Sequence, residues 1–155
     1  MSSKVRPVPQ ERQSVTPYLT IKNAGAAIDF YKQVFGATEK MRLAEPDGKV
    51  GHAEIEIGNA RIMISDEYPE IDVLGPQTRG GTTAGFHILV DDVDAVFNAA
   101  VAAGAIVQKA VSDQFYGERS GKLADPFGHV WYIATIKEEL TDEEVQQRYE
   151  ALMKQ

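Results

Sequence analysis

The chain reads as an α+β protein made of two β-α-β-β-β modules, each a curved mixed sheet, with an added C-terminal helix. Three observations predict this. Val15-Thr-Pro-Tyr-Leu-Thr-Ile21 runs into Asn23 and an apolar helical stretch that stops at Gly36. Ala84-Gly-Phe-His-Ile-Leu-Val90 runs into Asp92 and a similar stretch that stops at Gly104. The strands repeat at 69 residues (Ile21 to Val90) and the glycines at 68 (Gly36 to Gly104). A unit repeated at that distance is two copies of one module, and two copies related by a pseudo-twofold can build a shared cleft.

The elements follow in order. Residues 1–14 are polar, carry Pro7 and Pro9, and show no periodicity, so they are expected to form a flexible arm. Residues 15–21 read as a strand. Asn23 is the expected N-cap of a helix whose face is Ala24, Ala27, Ile28, Tyr31 and Phe35, and Gly36 is a natural stop. Residues 39–43 form a short strand, and Pro46-Asp-Gly48 marks a hairpin turn. Residues 50–57 alternate cleanly, with His52, Glu54 and Glu56 on one side and Ala53, Ile55 and Ile57 on the other. Residues 61–65 close the first module. Residues 67–83 carry Pro69, Gly75-Pro76 and Gly80-Gly81 and read as a linker.

The second module repeats the pattern. Residues 84–90 form its first strand, and Asp92 caps a helix with Val93, Val96, Phe97, Ala100 and Val101 on one face. Residues 106–111 are a strand, 114–121 read as a loop, and 122–124 as a short strand. Asp125-Pro-Phe-Gly128 is a tight turn before the closing strand, 130–135. The modules are thus 15–66 and 84–135, and the paired domain runs over 15–136. In the tail, 137–155, Thr141 and Glu144 form a capping box. Val145, Tyr149, Leu152 and Met153 give that helix an apolar stripe for packing on the body or on a partner.

Composition narrows the function. The 155 residues carry a net charge of −7, which disfavours nucleic-acid binding, since that needs a basic face. There is no cysteine, so disulfides, thiol catalysis and thiolate metal sites are excluded. No apolar run is long enough to span a membrane, and the first residues lack a signal peptide's apolar region. A cytoplasmic protein is expected.

Three segments carry a family resemblance: Ala27-Ile-Asp-Phe-Tyr-Lys-Gln-Val-Phe-Gly36, Val90-Asp-Asp-Val-Asp-Ala95, and Tyr116-Gly-Glu-Arg119 with Asp125-Pro-Phe-Gly-His-Val-Trp131. In this order and spacing the chain resembles the vicinal oxygen chelate superfamily of glyoxalase I, bleomycin-resistance proteins and extradiol dioxygenases. The resemblance implies the glyoxalase/bleomycin-resistance fold and a homodimer, with modules that can exchange between chains. It also implies four ligand positions in metal-dependent members, one on the first and one on the last strand of each module. Aligned on the motifs, these fall at Thr16, Met63, Gly85 and Tyr132. Divalent first-row metals want imidazole and carboxylate, so no metal cofactor is expected.

The expected ligand-binding residues are Thr16, Tyr18, His52, Met63, His87, Tyr116, Arg119 and Tyr132. Period-2 alternation puts Thr16, Tyr18 and Thr20 on one strand face, and Gly85, His87 and Leu89 on another. Met63, Arg61 and Tyr132 add to a lining of aromatic, thioether and polar groups, which suits an apolar or aromatic small molecule. Residues 114–119 join two aromatic rings to Glu118 and Arg119; this segment reads equally as cleft border or as local ion pairing. His129 is expected to order its hairpin, and Trp131 and Ile133 to pack against the helices. The leading reading is a metal-independent binder of a hydrophobic or aromatic small molecule in the cleft between the modules. The alternative is a glyoxalase-like lyase, isomerase or dioxygenase with an unorthodox metal site at His52, Glu54 and His87.

Overall fold

The computed structural model describes residues 5–155. The first four residues of the expected arm lie outside them. The chain divides into two compact units, 1–75 and 76–155.

Unit 1 contains β1 (Tyr18–Thr20), α1 (Ala24–Phe35), β2 (Thr38–Ala44), β3 (Val50–Ile57) and β4 (Ala60–Ser65). Its sheet has the order β1-β4-β3-β2. β1 runs parallel to β4, with Tyr18 beside Met63, while β3 is antiparallel to both neighbours. Leu19, Ile21, Ala53, Ile55, Ile62 and Ile64 are buried on the helix side with Ala24, Ala27, Ile28 and Tyr31 of α1. β1 is shorter than the sequence predicts because Pro17 has no N–H for the ladder. Pairing still continues on both sides, from Met63 N to Pro17 O and from Ile21 N to Ser65 O.

Asn23 does not cap α1. It adopts a left-handed conformation and its side chain makes no cap hydrogen bond. Asp66 takes the role instead: Oδ1 accepts from Ala24 N at 2.9 Å and Oδ2 from Val50 N at 2.7 Å. A carboxylate at a helix N-terminus is doubly favourable, as acceptor and as charge.

Unit 2 holds a short helix α2 (Pro76–Arg79), then β5 (Gly85–Leu89), α3 (Val93–Ala102), β6 (Ile106–Asp113), β7 (Glu118–Ala124), β8 (Val130–Ile136) and α4 (Asp142–Met153). The sheet order β5-β8-β7-β6 repeats that of unit 1. Tyr132 lies beside His87, as Met63 lies beside Tyr18, so the 69-residue offset holds strand for strand. Asp92 caps α3 as expected, accepting from Ala95 N. Thr135, the counterpart of Asp66, accepts from Val93 N and donates to Val90 O.

Several expectations shift. Residues 118–121 are strand, and only 114–117 form the loop. The polar run Glu-Arg-Ser-Gly hides the strand signal, and Gly121 is needed because an added Cβ would stand 2.7 Å from Phe97 Cε2. Val101 is exposed rather than core, and Phe35 is only half-buried. The stretch 67–83 is not featureless: it contains a 3₁₀ turn at Pro69–Ile71 as well as α2. The capping box on α4 is present, but α4 buries none of its residues.

Candidate functional site

In each unit the face away from the helices carries the polar and aromatic side chains. In unit 1 a hydrogen-bonded chain crosses β1, β3 and β4. Tyr18 Oη lies 2.6 Å from His52 Nδ1, and His52 Nε2 lies 3.2 Å from Glu54 Oε2. Arg61 donates to Glu54 at 3.4 Å and to Glu56 at 3.2 Å, and Lys40 reaches Glu56 at 3.1 Å. The period of β3 produces this row by placing His52, Glu54 and Glu56 on one side. His52, then Arg61, hold the Glu54 carboxyl below its ordinary value against the opposing effect of burial. Glu56 is lowered by Lys40 and Arg61. An ionised Glu54 can only accept, so His52 Nε2 carries the proton. With the proton on Nε2 alone, Nδ1 accepts from Tyr18 Oη. The ring and hydroxyl of Tyr18 are thereby held in one place.

Two cavities flank this row. One of 580 Å³ lies where the N-terminal arm passes Thr16, Glu54, Arg61 and Met63. The arm is tied there: the Gln13 amide donates to Arg61 O and accepts from Arg61 N. The other, of 510 Å³, borders Tyr18 and the turn that follows β4. Tyr68 on that turn is a site residue that the sequence reading passed over. It stood alone among Gly and Pro in a presumed linker, with no periodicity to mark it.

In unit 2, His87 Nε2 lies 3.0 Å from Glu118 Oε2, and the Lys122 ammonium lies 5.3 Å from the centre of the Tyr132 ring. Tyr116 is edge-on to Phe115, which in turn meets Tyr149 of α4. Arg119 is placed differently. It grips Asp94 of α3 with two hydrogen bonds, 2.9 and 3.0 Å, and reaches Asp113 at 3.3 Å. It therefore sits on the helix side of its sheet, apart from His87 and Tyr132. Both acids push its guanidinium further up, and Arg119 in turn lowers Asp94. The hairpin reading of Asp125–Trp131 holds: buried Asp125 accepts from Phe127 N, His129 N and Trp131 Nε1 at 2.9 to 3.0 Å.

The four positions implied for metal ligands hold residues that do not fit a divalent cation. Thr16 and Met63 offer a hydroxyl and a thioether, and Gly85 offers no side chain. A Cβ built on Gly85 would lie 2.7 Å from Tyr132 Cε2, because the Tyr132 ring lies over the glycine. Among the described residues no three His, Asp or Glu side chains form a group able to hold a metal ion. His52 and Glu54 stand together, while His87 partners Glu118. Among the described residues no helix is long and apolar enough to cross a membrane.

Known proteins give the same architecture. An uncharacterised protein of Mycobacterium tuberculosis (strain ATCC 25618 / H37Rv) is 40% identical over 136 residues, 86% of this chain and 80% of its own. A crystal structure of a Pseudomonas aeruginosa protein matches with a TM-score of 0.68 at 25% identity, covering 82% of this chain and all of that one. FosX, a fosfomycin resistance protein of Listeria monocytogenes solved with Mn(II) and sulfate, matches at a TM-score of 0.63. At 18% identity over 88% of this chain and 97% of its own, that match shows the fold alone. The model of the Glyoxalase/Bleomycin resistance protein/Dioxygenase superfamily matches residues 14–133, and the chain belongs to that family.

Proposed function

We propose that this protein binds an apolar or aromatic small molecule on its open sheet faces and does so without a divalent metal. The observation that carries the reading is the occupancy of the four implied ligand positions by Thr16, Met63, Gly85 and Tyr132, with the Tyr132 ring seated against Gly85. Tyr18, Met63 and Tyr132 supply ring and thioether surface, and His87 supplies a polar group for orientation. A cytoplasmic homodimer accompanies this reading, so sedimentation is expected to show twice the 17.0 kDa chain mass.

Calorimetric titration with a panel of aromatic compounds is the direct test. Trp131 is 2% exposed and packed on the helix side, so its fluorescence is a poor reporter of binding. Binding in the micromolar range is expected. Elemental analysis of purified protein completes the test, and stoichiometric Zn, Ni, Mn or Fe would overturn the metal-free reading. The Tyr18–His52–Glu54 chain favours a second reading, an isomerase or lyase that moves a proton through Tyr18 to His52. Exchange of substrate C–H protons with D₂O, lost in Tyr18→Phe, would select it over simple binding.

A further inference from the structure

We infer that unit 1 carries a ligand pocket of its own, walled by the segment that follows β4, and that this pocket takes an uncharged planar aromatic molecule. This deepens the binding reading above and rests on it. The 510 Å³ cavity is lined by Tyr18, Gly51, Ser65, Tyr68, Ile71 and Val73, with Thr20 at its edge. Its size falls within the range of small-molecule sites, roughly 300 to 1,000 Å³.

The wall is a built structure. Tyr68 and Val73 exchange two backbone hydrogen bonds, Tyr68 N to Val73 O at 2.7 Å and Val73 N to Tyr68 O at 3.1 Å. The 3₁₀ turn Pro69–Ile71 lies between them and ends at Asp72 with φ 61°. At the far end Gly75 returns so close to β1 that a Cβ there would meet Thr20 O at 3.0 Å. The segment is thus closed on itself and anchored against the strand that carries Tyr18.

Both rings are held by their far ends. Tyr68 Oη donates to Glu45 at 3.1 Å, and the Lys49 ammonium lies 4.0 Å from the ring centre. Desolvation and the Glu45 carboxylate push the Tyr68 phenol above its usual value. Tyr18 Oη is committed to His52. With their hydroxyls engaged, the two tyrosines offer ring surface, and offset or edge-on aromatic contact is what such surface favours. Every lining side chain is uncharged, which disfavours an ion. Ile71 lines the cavity and is 69% exposed, so an occupant would bury apolar surface there. Ser65 Oγ donates to Asp66 O, leaving its lone pairs to accept from a ligand hydroxyl.

The test titrates the full chain with 2-naphthol and with decahydro-2-naphthol, which keeps the skeleton and hydroxyl but loses the aromatic faces. Saturable binding of 2-naphthol is expected, with the saturated analogue about tenfold weaker or worse. Tyr68→Leu should weaken 2-naphthol by about tenfold, and Tyr68→Phe by less than about threefold. Gly51→Val is the second variant. It fills the cavity from the strand side, where an added Cβ meets Tyr68 Oη at an ordinary 3.5 Å, and it should also weaken binding. Unchanged affinity in both Tyr68→Leu and Gly51→Val, or equal affinity for the saturated analogue, would overturn the pocket. Binding that responds to Tyr132→Leu but not to these variants removes this pocket while the general binding reading stands. No binding of either compound overturns the pocket. No binding across the aromatic panel as well overturns the general reading with it.

Discussion

Asp125 shows how one buried carboxylate can organise a turn. It is 2% exposed, and its two oxygens satisfy three donors across a tight hairpin, one of them the indole of Trp131. Asp125→Ala strands those donors in the core, and each buried unsatisfied donor costs about 1–3 kcal/mol. A total loss of about 3 kcal/mol is therefore expected in chemical denaturation, and a loss below about 1 kcal/mol would contradict this assignment. His52 gives a second prediction at this scale. Because ionised Glu54 can only accept, the neutral ring should carry its proton on Nε2, visible in ¹⁵N chemical shifts near neutral pH. Glu54→Gln releases that constraint, and a mixture of tautomers is expected. An Nδ1-protonated ring in the native protein would break the chain from Tyr18 to Glu54.

At the level of elements, the two module helices begin in the same way with different chemistry. Asp66 ties the start of α1 to β3, and Thr135 ties the start of α3 to β5 and its exit. Asp66→Ala should lower global stability by about 1–2 kcal/mol, because the helix it caps is a core element. Thr141→Ala removes the capping box of α4, a helix with no buried residue, so the expected effect is local. Amide exchange should quicken in α4 while the denaturation midpoint holds within about 0.5 kcal/mol. The repeat made both modules legible in the sequence, because apolar periodicity at one offset is hard to produce otherwise. Asn23 misled because local propensity favours Asn as a cap, while the acceptor that wins comes from a residue 42 positions away. The start of β7 was illegible for a similar reason. Glu118 to Gly121 become strand through pairing with β8, which leaves no mark in their own pattern.

For the molecule as a whole, the carboxylates with lowered values define the response to acid. Glu54, Glu56, Asp94 and Glu138 each sit against a cation or His52 that favours the charged form. A depressed folded value means their contribution is present above the unfolded value and is lost as pH falls through the folded one. The melting temperature should hold from pH 7 to about 5 and decline below about 4.5, gently, since Asp94 and Glu138 are exposed and Glu56 is only half-buried. A melting temperature that rises on acidification would contradict these pairings. Strand alternation put His52 and Glu54 on one strand face and Tyr18 on a face of another strand, whereas the Tyr18–His52 contact, Tyr68 and the helix-side placement of Arg119 depend on contacts formed only on folding. The ring of Tyr132 over Gly85 carries one more consequence, which concerns the order of change. With that ring in place, a histidine or glutamate gained at 85 meets an occupied space before it can meet an ion. The replacement at 132 must come first, and alone it brings no ligand set, since 16, 63 and 85 remain bare of one. On the metal-free reading proposed above, positions 85 and 132 are therefore coupled, and no single substitution supplies a ligand set.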